Sequence, residues 1–174
     1  VWNFLDVVQE VKPKAFVMEN VKALGTLSKW EPLRKLLLEK FRNLGYMTNF
    51  MVLNSSDFNV PQSRERVFFV GIEGNPKLIP DLTTMMKDYE SPSQTVRAAL
   101  SVLDKAGAGN NSNTCKAKIT FTANPVMRKS PYAGMLFNGL GRPVKIDGFC
   151  ATLPASMGGN KTPIVDEEAL YNEK

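Results

Sequence analysis

The 174-residue chain has no histidine and two cysteines, Cys115 and Cys150. Without histidine there is no Ser-His-Asp triad and no imidazole base, so proton transfer falls to carboxylates, Lys, Tyr or Cys. The two cysteines show no Cys-x-x-Cys spacing and cannot make a secreted disulfide framework. A zinc site needs four ligands, so no metal is expected. Apolar runs fall far short of the about 20 residues that cross a bilayer, and no leader-like segment opens the chain, so no membrane partner is expected. The first residue is Val1 rather than methionine, which is consistent with a segment of a longer protein.

Hydrophobic residues make up 43% of the chain and charged residues 22%, values that argue against wholesale disorder. The length predicts one domain, or one domain with an appendage. Charge is uneven. Residues 105–161 hold eight Lys and Arg against a single acid, Asp147, a local +7 within a total of +5. Such a block suits a polyanion, and it suits a solvated surface equally well; charge alone does not choose.

Phe4, Leu5, Val8 and Val11 recur at helical spacing, and Pro13 ends that helix. Residues 15–18 (AFVM) have the length of a buried strand, with Glu19-Asn20 at its carboxyl end. Ser28-x-x-Glu31 reads as a capping box with Pro32 in the first turn. Leu33, Leu36, Leu37, Phe41 and Leu44 form one apolar stripe, closed by Gly45 as the left-handed residue after the helix. Residues 46–53 and 67–72 read as strands separated by a polar turn containing Pro61. Helix, strand, helix, strand is the grammar of a layered α/β domain, here with about three strands. Residues 95–103 predict a short helix and 107–113 (GAGNNSN) a flexible linker. The stretch 115–166 is rich in Gly, Pro, Thr and Lys, with β-like pieces such as KITFTA, so a boundary is expected at 105–114.

Two short signals carry chemistry. In open α/β sheets ligands gather at the carboxyl ends of strands, where Glu19 of Glu19-Asn20-Val21 emerges from an apolar run. A carboxyl group partly withdrawn from water there can hold a proton and donate it to a ring nitrogen. Alone, the tripeptide is better read as an ordinary surface Glu capping the following turn. In Pro61-Gln62-Ser63-Arg64-Glu65-Arg66, an extended backbone puts Arg64 and Arg66 on one face, suited to phosphate or carboxylate. Alone, this signal is weak, and an edge strand guarded by charge accounts for it.

In this order and spacing, FVMENVKAL followed by GYMTNFMVLNSSDFNVPQSRERVFFVGI resembles the cytosine-C5 DNA methyltransferase family, almost continuously over the first 73 residues. The family's Glu-Asn-Val motif matches Glu19, Asn20 and Val21, and its Gln-x-Arg-x-Arg motif matches Gln62, Arg64 and Arg66. Asn59 stands where the family usually has Gly; Asn is the next-best residue at positive φ. A second stretch, GRPVKIDGFCATLPASMGGNKTPIVDE, is similar to the target recognition domain of bacterial restriction-modification methyltransferases, with Thr152-Leu153 as the family's Thr-Leu pair. Gly158-Gly159-Asn160 suits close approach to a partner, or a hairpin turn.

The resemblance implies transfer of a methyl group from S-adenosylmethionine to carbon 5 of a flipped cytosine in a specific duplex DNA sequence. A cysteine thiolate adds to carbon 6, a Glu protonates N3, and an Arg stabilises charge at O2. Glu19 matches the acid, Asn20 its positioning partner and Arg66 the O2 ligand; Arg64 matches a holder of phosphate or of the catalytic loop, and Gln62 and Val21 support the site. Arg128, Arg142, Lys145 and Lys161 are candidate phosphate contacts by charge and place, beside Thr152, Leu153, Gly158, Gly159 and Asn160. The family's Pro-Cys nucleophile and a Gly-rich donor loop do not occur in this sequence, so the chain alone is expected to be inactive and truncated on both sides. The implied fold is α/β: a partial Rossmann-like methyltransferase sheet with layered helices (1–104), plus a small, irregular, mostly-β part of the recognition domain (105–174). Double-stranded DNA is the expected partner, self-association through exposed sheet edges is expected, and the location is the bacterial cytoplasm. A tRNA cytosine-5 methyltransferase and a non-catalytic DNA-binding or regulatory module are the alternatives.

Overall fold

Leu5 and Val8 are buried on one stripe of helix α1 (Trp2–Val11), while Val11, at the last turn of the helix, is 65% exposed. The computed structural model describes residues 1–74, 81–115, 121, 123–131, 136–139, 141–153 and 163–172. Lys12 ends α1 in the left-handed conformation (φ 46°), its N–H donating to the Val8 carbonyl at 2.9 Å, and Pro13 prevents continuation. The residues form two compact units: Val1–Phe58 with Glu65–Ser91, and Asn59–Arg64 with Pro92–Lys174. The compositional boundary at 105–114 falls inside the second.

In the first unit strand β1 (Ala15–Val21) runs beyond the expected 15–18, through Glu19-Asn20-Val21. It does so because a neighbouring strand satisfies its backbone: Glu19, Asn20 and Val21 lie opposite Phe68, Val67 and Arg66. Helix α2 (Lys22–Thr26) and a 3₁₀ turn (Ser28–Trp30) lead to helix α3 (Glu31–Asn43). The capping-box expectation is corrected here. The 3₁₀ turn delays the helix to Glu31, which is then too early to reach back, and it pairs with Lys35 one turn on at 2.7 Å. The stripe is also narrower than expected, with Leu37 and Phe41 buried but Leu36 41% exposed. Gly45 follows at φ 89°, a conformation that disfavours a side chain.

Strand β2 (Tyr46–Asn54), a 3₁₀ turn (Ser55–Asp57), the two-residue strand β3 (Gln62–Ser63) and strand β4 (Glu65–Glu73) complete the motif region. The sheet order is β1-β4-β2, with β4 antiparallel to both neighbours. Alternation turns Phe16, Met18, Val67, Phe69 and Tyr46 toward the helices, where they join Leu5, Val8, Leu24, Leu37 and Phe41 in one core. Phe16 is held at its centre, with ring centroids 5.7 Å from Phe4, 4.5 Å from Phe41 and 5.3 Å from Tyr46. Helix α4 (Leu82–Lys87) starts at Asp81, whose carboxylate accepts the Thr83 N–H at 3.1 Å.

In the second unit, helix α5 (Val96–Leu100) is capped by Thr95, as the sequence predicts for 95–103. Short strands follow: β5 (Met127–Lys129) pairs with β6 (Leu136–Asn138), β7 (Arg142–Pro143) with β9 (Pro163–Ile164), and β8 (Cys150–Ala151) with β3. Helix α6 (Glu167–Tyr171) closes the unit, and Val96, Ile146 and Leu170 form its core. The expected flexible linker at 107–113 is a tied turn. Buried Asn111 donates its amide hydrogens to the carbonyls of Asp104 (3.0 Å) and Pro131 (2.8 Å), which fastens the turn to a segment 20 residues on. The KITFTA piece lies largely outside the described residues. Among the described residues no helix is long and apolar enough to cross a membrane.

A Cβ on Gly71 would stand 2.2 Å from the Phe16 ring, which its three aromatic neighbours hold in place. Gly71→Ala is therefore expected to destabilise the chain by about 1–3 kcal/mol, the range for overpacking, and Phe16→Leu to relieve part of that loss. Urea unfolding of both variants and their combination checks this; a Gly71→Ala chain as stable as the parent overturns it.

Candidate active site and nucleic-acid interface

The register of β1 against β4 sets Glu19 across from Phe68 and Arg66 across from Val21, so Glu19 and Arg66 are diagonal neighbours on one sheet face. Their side chains meet, Arg66 Nε donating to Glu19 Oε1 at 2.8 Å. Arg66 Nη1 also donates to the Glu65 carbonyl at 2.8 Å, which fixes the guanidinium plane. The Arg66 side chain is 20% exposed and that of Glu19 47%. The expectation of a Glu19 carboxyl withdrawn from water is thus corrected: it projects from the sheet, ion-paired and accessible.

Asn20 points the other way, by the alternation of β1. Its side-chain oxygen accepts the Val21 N–H at 2.8 Å, so Asn20 shapes the strand end and makes no side-chain contact with Glu19 in this bond. The chain then turns into α2, whose Gly25 lies so close to β4 that an added Cβ would be 2.7 Å from Val67 Cγ2. Arg34 of α3 donates to the carbonyls of Leu24 (2.8 Å) and Leu27 (3.0 Å), satisfying the end of this short helix. Lys22 and Glu65 form a second ion pair at 2.6 Å. Lys22, Arg34 and Gly25 carry no motif signal, and only the close helix–strand packing reveals them.

Asn59, at the family's glycine position, has φ 60°, the conformation its substitution for glycine anticipates. Gln62 and Arg64 belong to the second unit, whereas Arg66 belongs to the first. Arg64 lies between β3 and β4, so the strand that would set both arginines on one face begins only after it.

In the second unit the Gln62–Ser63 strand is docked onto the Cys150–Ala151 strand. The Cys150 N–H donates to the Pro61 carbonyl at 2.9 Å, the Gln62 amide to the Ala151 carbonyl at 3.4 Å, and the Thr152 hydroxyl to the Ser63 carbonyl at 3.2 Å. Beside this junction opens a cleft of about 410 Å³ lined by Ser63, Arg142, Lys145, Phe149, Cys150 and Thr152. Two cations, two hydroxyls and an aromatic ring 38% exposed suit a sugar-phosphate segment. The cleft brings together the sequence candidates Arg142, Lys145 and Thr152 with Ser63 and Phe149, which carry no motif signal and meet them only through the β3–β8 pairing of segments far apart in sequence.

Arg128 is engaged within the protein, 3.4 Å from Asp166 and donating to the Gly139 carbonyl at 3.3 Å, so a phosphate would compete with Asp166 for it. Leu153 is 50% exposed. Gly158, Gly159, Asn160 and Lys161 lie outside the described residues. Among the described residues no group of three His, Cys, Asp or Glu could hold a metal ion.

The family model for C-5 cytosine-specific DNA methylase matches residues 1–146. The chain is 41% identical over 114 residues to the Type II methyltransferase M.DdeI of Desulfomicrobium norvegicum, covering 61% of this chain and 27% of the relative. It is 37% identical over 110 residues to the Type II methyltransferase M1.HphI of Haemophilus parahaemolyticus, covering 63% and 28%. The chain thus spans about a quarter of the length of these curated relatives. In fold it is similar to an E. coli protein described as a DNA modification methyltransferase encoded within a prophage, with a TM-score of 0.55, 18% identity, and coverage of 96% of this chain and 61% of that one.

The two cysteines differ in setting. Cys115 is exposed, and burial pushes the Cys150 thiol above its ordinary value. A raised value leaves less thiolate near neutrality, and thiolate is the reacting species. Iodoacetamide near neutral pH is expected to label Cys115 first and Cys150 only slowly, with the two converging in urea. Peptide mass spectrometry reads the order; faster labelling at Cys150 would contradict the enclosed thiol.

Proposed function

Because the chain belongs to the C-5 cytosine-specific DNA methylase family, we propose that it is the base-gripping half of a catalytic domain (1–104) joined to part of a target recognition region (105–174). The whole protein then methylates carbon 5 of a flipped cytosine in a specific duplex DNA sequence, in a bacterial cytoplasm. The observation that carries this reading is the Glu19–Arg66 pair, 2.8 Å apart and accessible on one sheet face. In cytosine, N3 and O2 are separated by one carbon. A carboxyl group and a guanidinium already in contact can therefore grip both: Glu19 delivers a proton to N3, and Arg66 donates to O2.

Protonation at N3 is what the chemistry needs. Addition of a thiolate at carbon 6 pushes electron density toward N3 and O2, and a proton and a fixed cation there lower that barrier. Asn20 and Val21 hold the strand end that carries Glu19. Arg64 and Gln62 hold the catalytic loop or a phosphate. The cleft lined by Arg142, Lys145, Ser63 and Thr152 takes the phosphates that offset the few kcal/mol of base flipping, with Arg128, Leu153, Gly158, Gly159, Asn160 and Lys161 as further DNA contacts.

The family implies S-adenosylmethionine as methyl source, and the described residues do not fit it. Strand β1 passes into α2 directly at Val21–Lys22, with no glycine turn to admit a nucleotide against a helix N-terminus. No step is therefore assigned to the donor within this chain, and the sequence holds no Pro-Cys dipeptide for the nucleophile.

In the full-length protein, Glu19→Gln and Arg66→Lys are each expected to lower transfer of labelled methyl to duplex DNA by about 10²–10³ while leaving duplex binding intact. The isolated 174 residues are expected to give no turnover. Undiminished turnover by either variant, or turnover by the isolated chain, overturns the reading. Val17 and Val21 are 61% and 53% exposed on the sheet face that bears Glu19, and among the described residues β1 and β2 are sheet edges, which favours self-association of the isolated chain. Gel filtration is expected to show species larger than a monomer, and a single monomer peak contradicts this.

A further inference from the structure

We propose that Arg97 is a positioning residue for the basic cleft: it touches no DNA and sets the loop that carries Arg142 and Lys145 on one side and Cys150 and Thr152 on the other. This rests on the reading of that cleft as a phosphate site. Helix α5 has five residues, too few to be stable alone, and its first N–H groups are spent on the loop. The Val96 N–H donates to the Gly148 carbonyl at 2.9 Å and the Arg97 N–H to the Ile146 carbonyl at 2.8 Å.

The Arg97 side chain completes the clamp. Nε and Nη2 hold the two carboxylate oxygens of Asp147 at 2.5 and 3.2 Å, Nη1 donates to the Leu170 carbonyl at 2.5 Å, and Nη2 donates to the Ala169 carbonyl at 3.1 Å. One guanidinium thus ties the turn at 146–148 to the end of α6. Ile146 and Leu170 are buried beneath it against Val96, so the turn is fixed from two sides. From that turn the chain runs directly into Cys150–Ala151, whose pairing with Gln62–Ser63 forms one wall of the cleft. Only a planar fork can engage a carboxylate and two carbonyls in this way; a lysine ammonium cannot.

Asp147 makes the proposal separable from simple charge effects. It is the single acid within residues 105–161, and its side chain is 73% exposed. If it were merely a surface charge near DNA, Asp147→Asn would tighten binding and leave the salt slope unchanged or steeper. As a clamp partner, its loss lets Arg142 and Lys145 drift, so binding weakens and the slope of log affinity against log salt becomes shallower by about one to two.

The measurement is anisotropy titration of a fluorescein-labelled mixed-sequence duplex with the full-length protein across a salt series, for the parent, Arg97→Lys, Asp147→Asn and Arg142→Ala. The expected result is weaker binding and a shallower slope for both clamp variants, with a change at least as large as that of Arg142→Ala, which loses one contact. A purely structural role would lower the fraction of binding-competent protein, read from stoichiometric titration, and leave the slope at the parental value; that result overturns the proposal. Tighter binding by Asp147→Asn also overturns it. A parental slope for Arg142→Ala would instead overturn the underlying reading of the cleft, so the two failures are distinguishable.

Discussion

Strand β4 lies antiparallel between β1 and β2 and gives both of them their backbone partners. Unpaired N–H and C=O groups are costly inside a fold, so this insertion decides how far β1 extends and where each of its side chains points. It draws Glu19-Asn20-Val21 into the sheet instead of leaving them in a loop. Alternation then turns Glu19 to one face and Asn20 to the other, while Val67 and Phe69 anchor β4 in the core with no exposure. The Glu19–Arg66 geometry is a consequence of that register: a slip of one residue would send one of the two into the helices.

The Gln-x-Arg-x-Arg segment divides between the two units. Phe58 and Glu65 belong to the first and residues 59–64 to the second, so the chain leaves one unit at Asn59, contributes β3 to the other, and returns at β4. A residue at φ 60° marks the departure. Covalent continuity over these few residues links β3, and hence one wall of the basic cleft, to the strand bearing Arg66. In the proposed function this joins base contact and backbone contact through one short peptide, two tasks that protein–DNA interfaces assign to different side chains.

Local patterns were legible where local physics decides them. Helices α1, α3 and α5, the breaks at Pro13 and Gly45, the strands at 46–53 and 67–72, and the positive φ of Asn59 all follow from spacing and conformational preference. What the sequence did not reveal depends on partners distant along the chain. The extension of β1 needs β4; the tied turn at Asn111 needs the Pro131 carbonyl; the cleft needs β8 to find β3. The capping box failed because an intervening 3₁₀ turn changed the helix start, a shift of a few residues that pattern alone does not register. Glu19 and Arg66 were legible only as matches to family motifs, and their contact, with Glu19 accessible, came from the sheet register.

That accessibility bears on how such a pair could work. A fully buried Glu–Arg pair would be locked, since parting either member leaves an uncompensated charge. At 47% exposure for Glu19 and 20% for Arg66, the pair is half-open: water already competes for the carboxylate, so the contact is held less firmly than in a buried pair. Exchanging the Glu19–Arg66 contact for contacts with a heterocycle edge therefore costs little. Meanwhile the β1–β4 register and the bond from Arg66 to the Glu65 carbonyl keep both groups from wandering. In the proposed grip, the ion pair acts as a placeholder: it orders the two side chains before the base arrives and yields when N3 and O2 take its place.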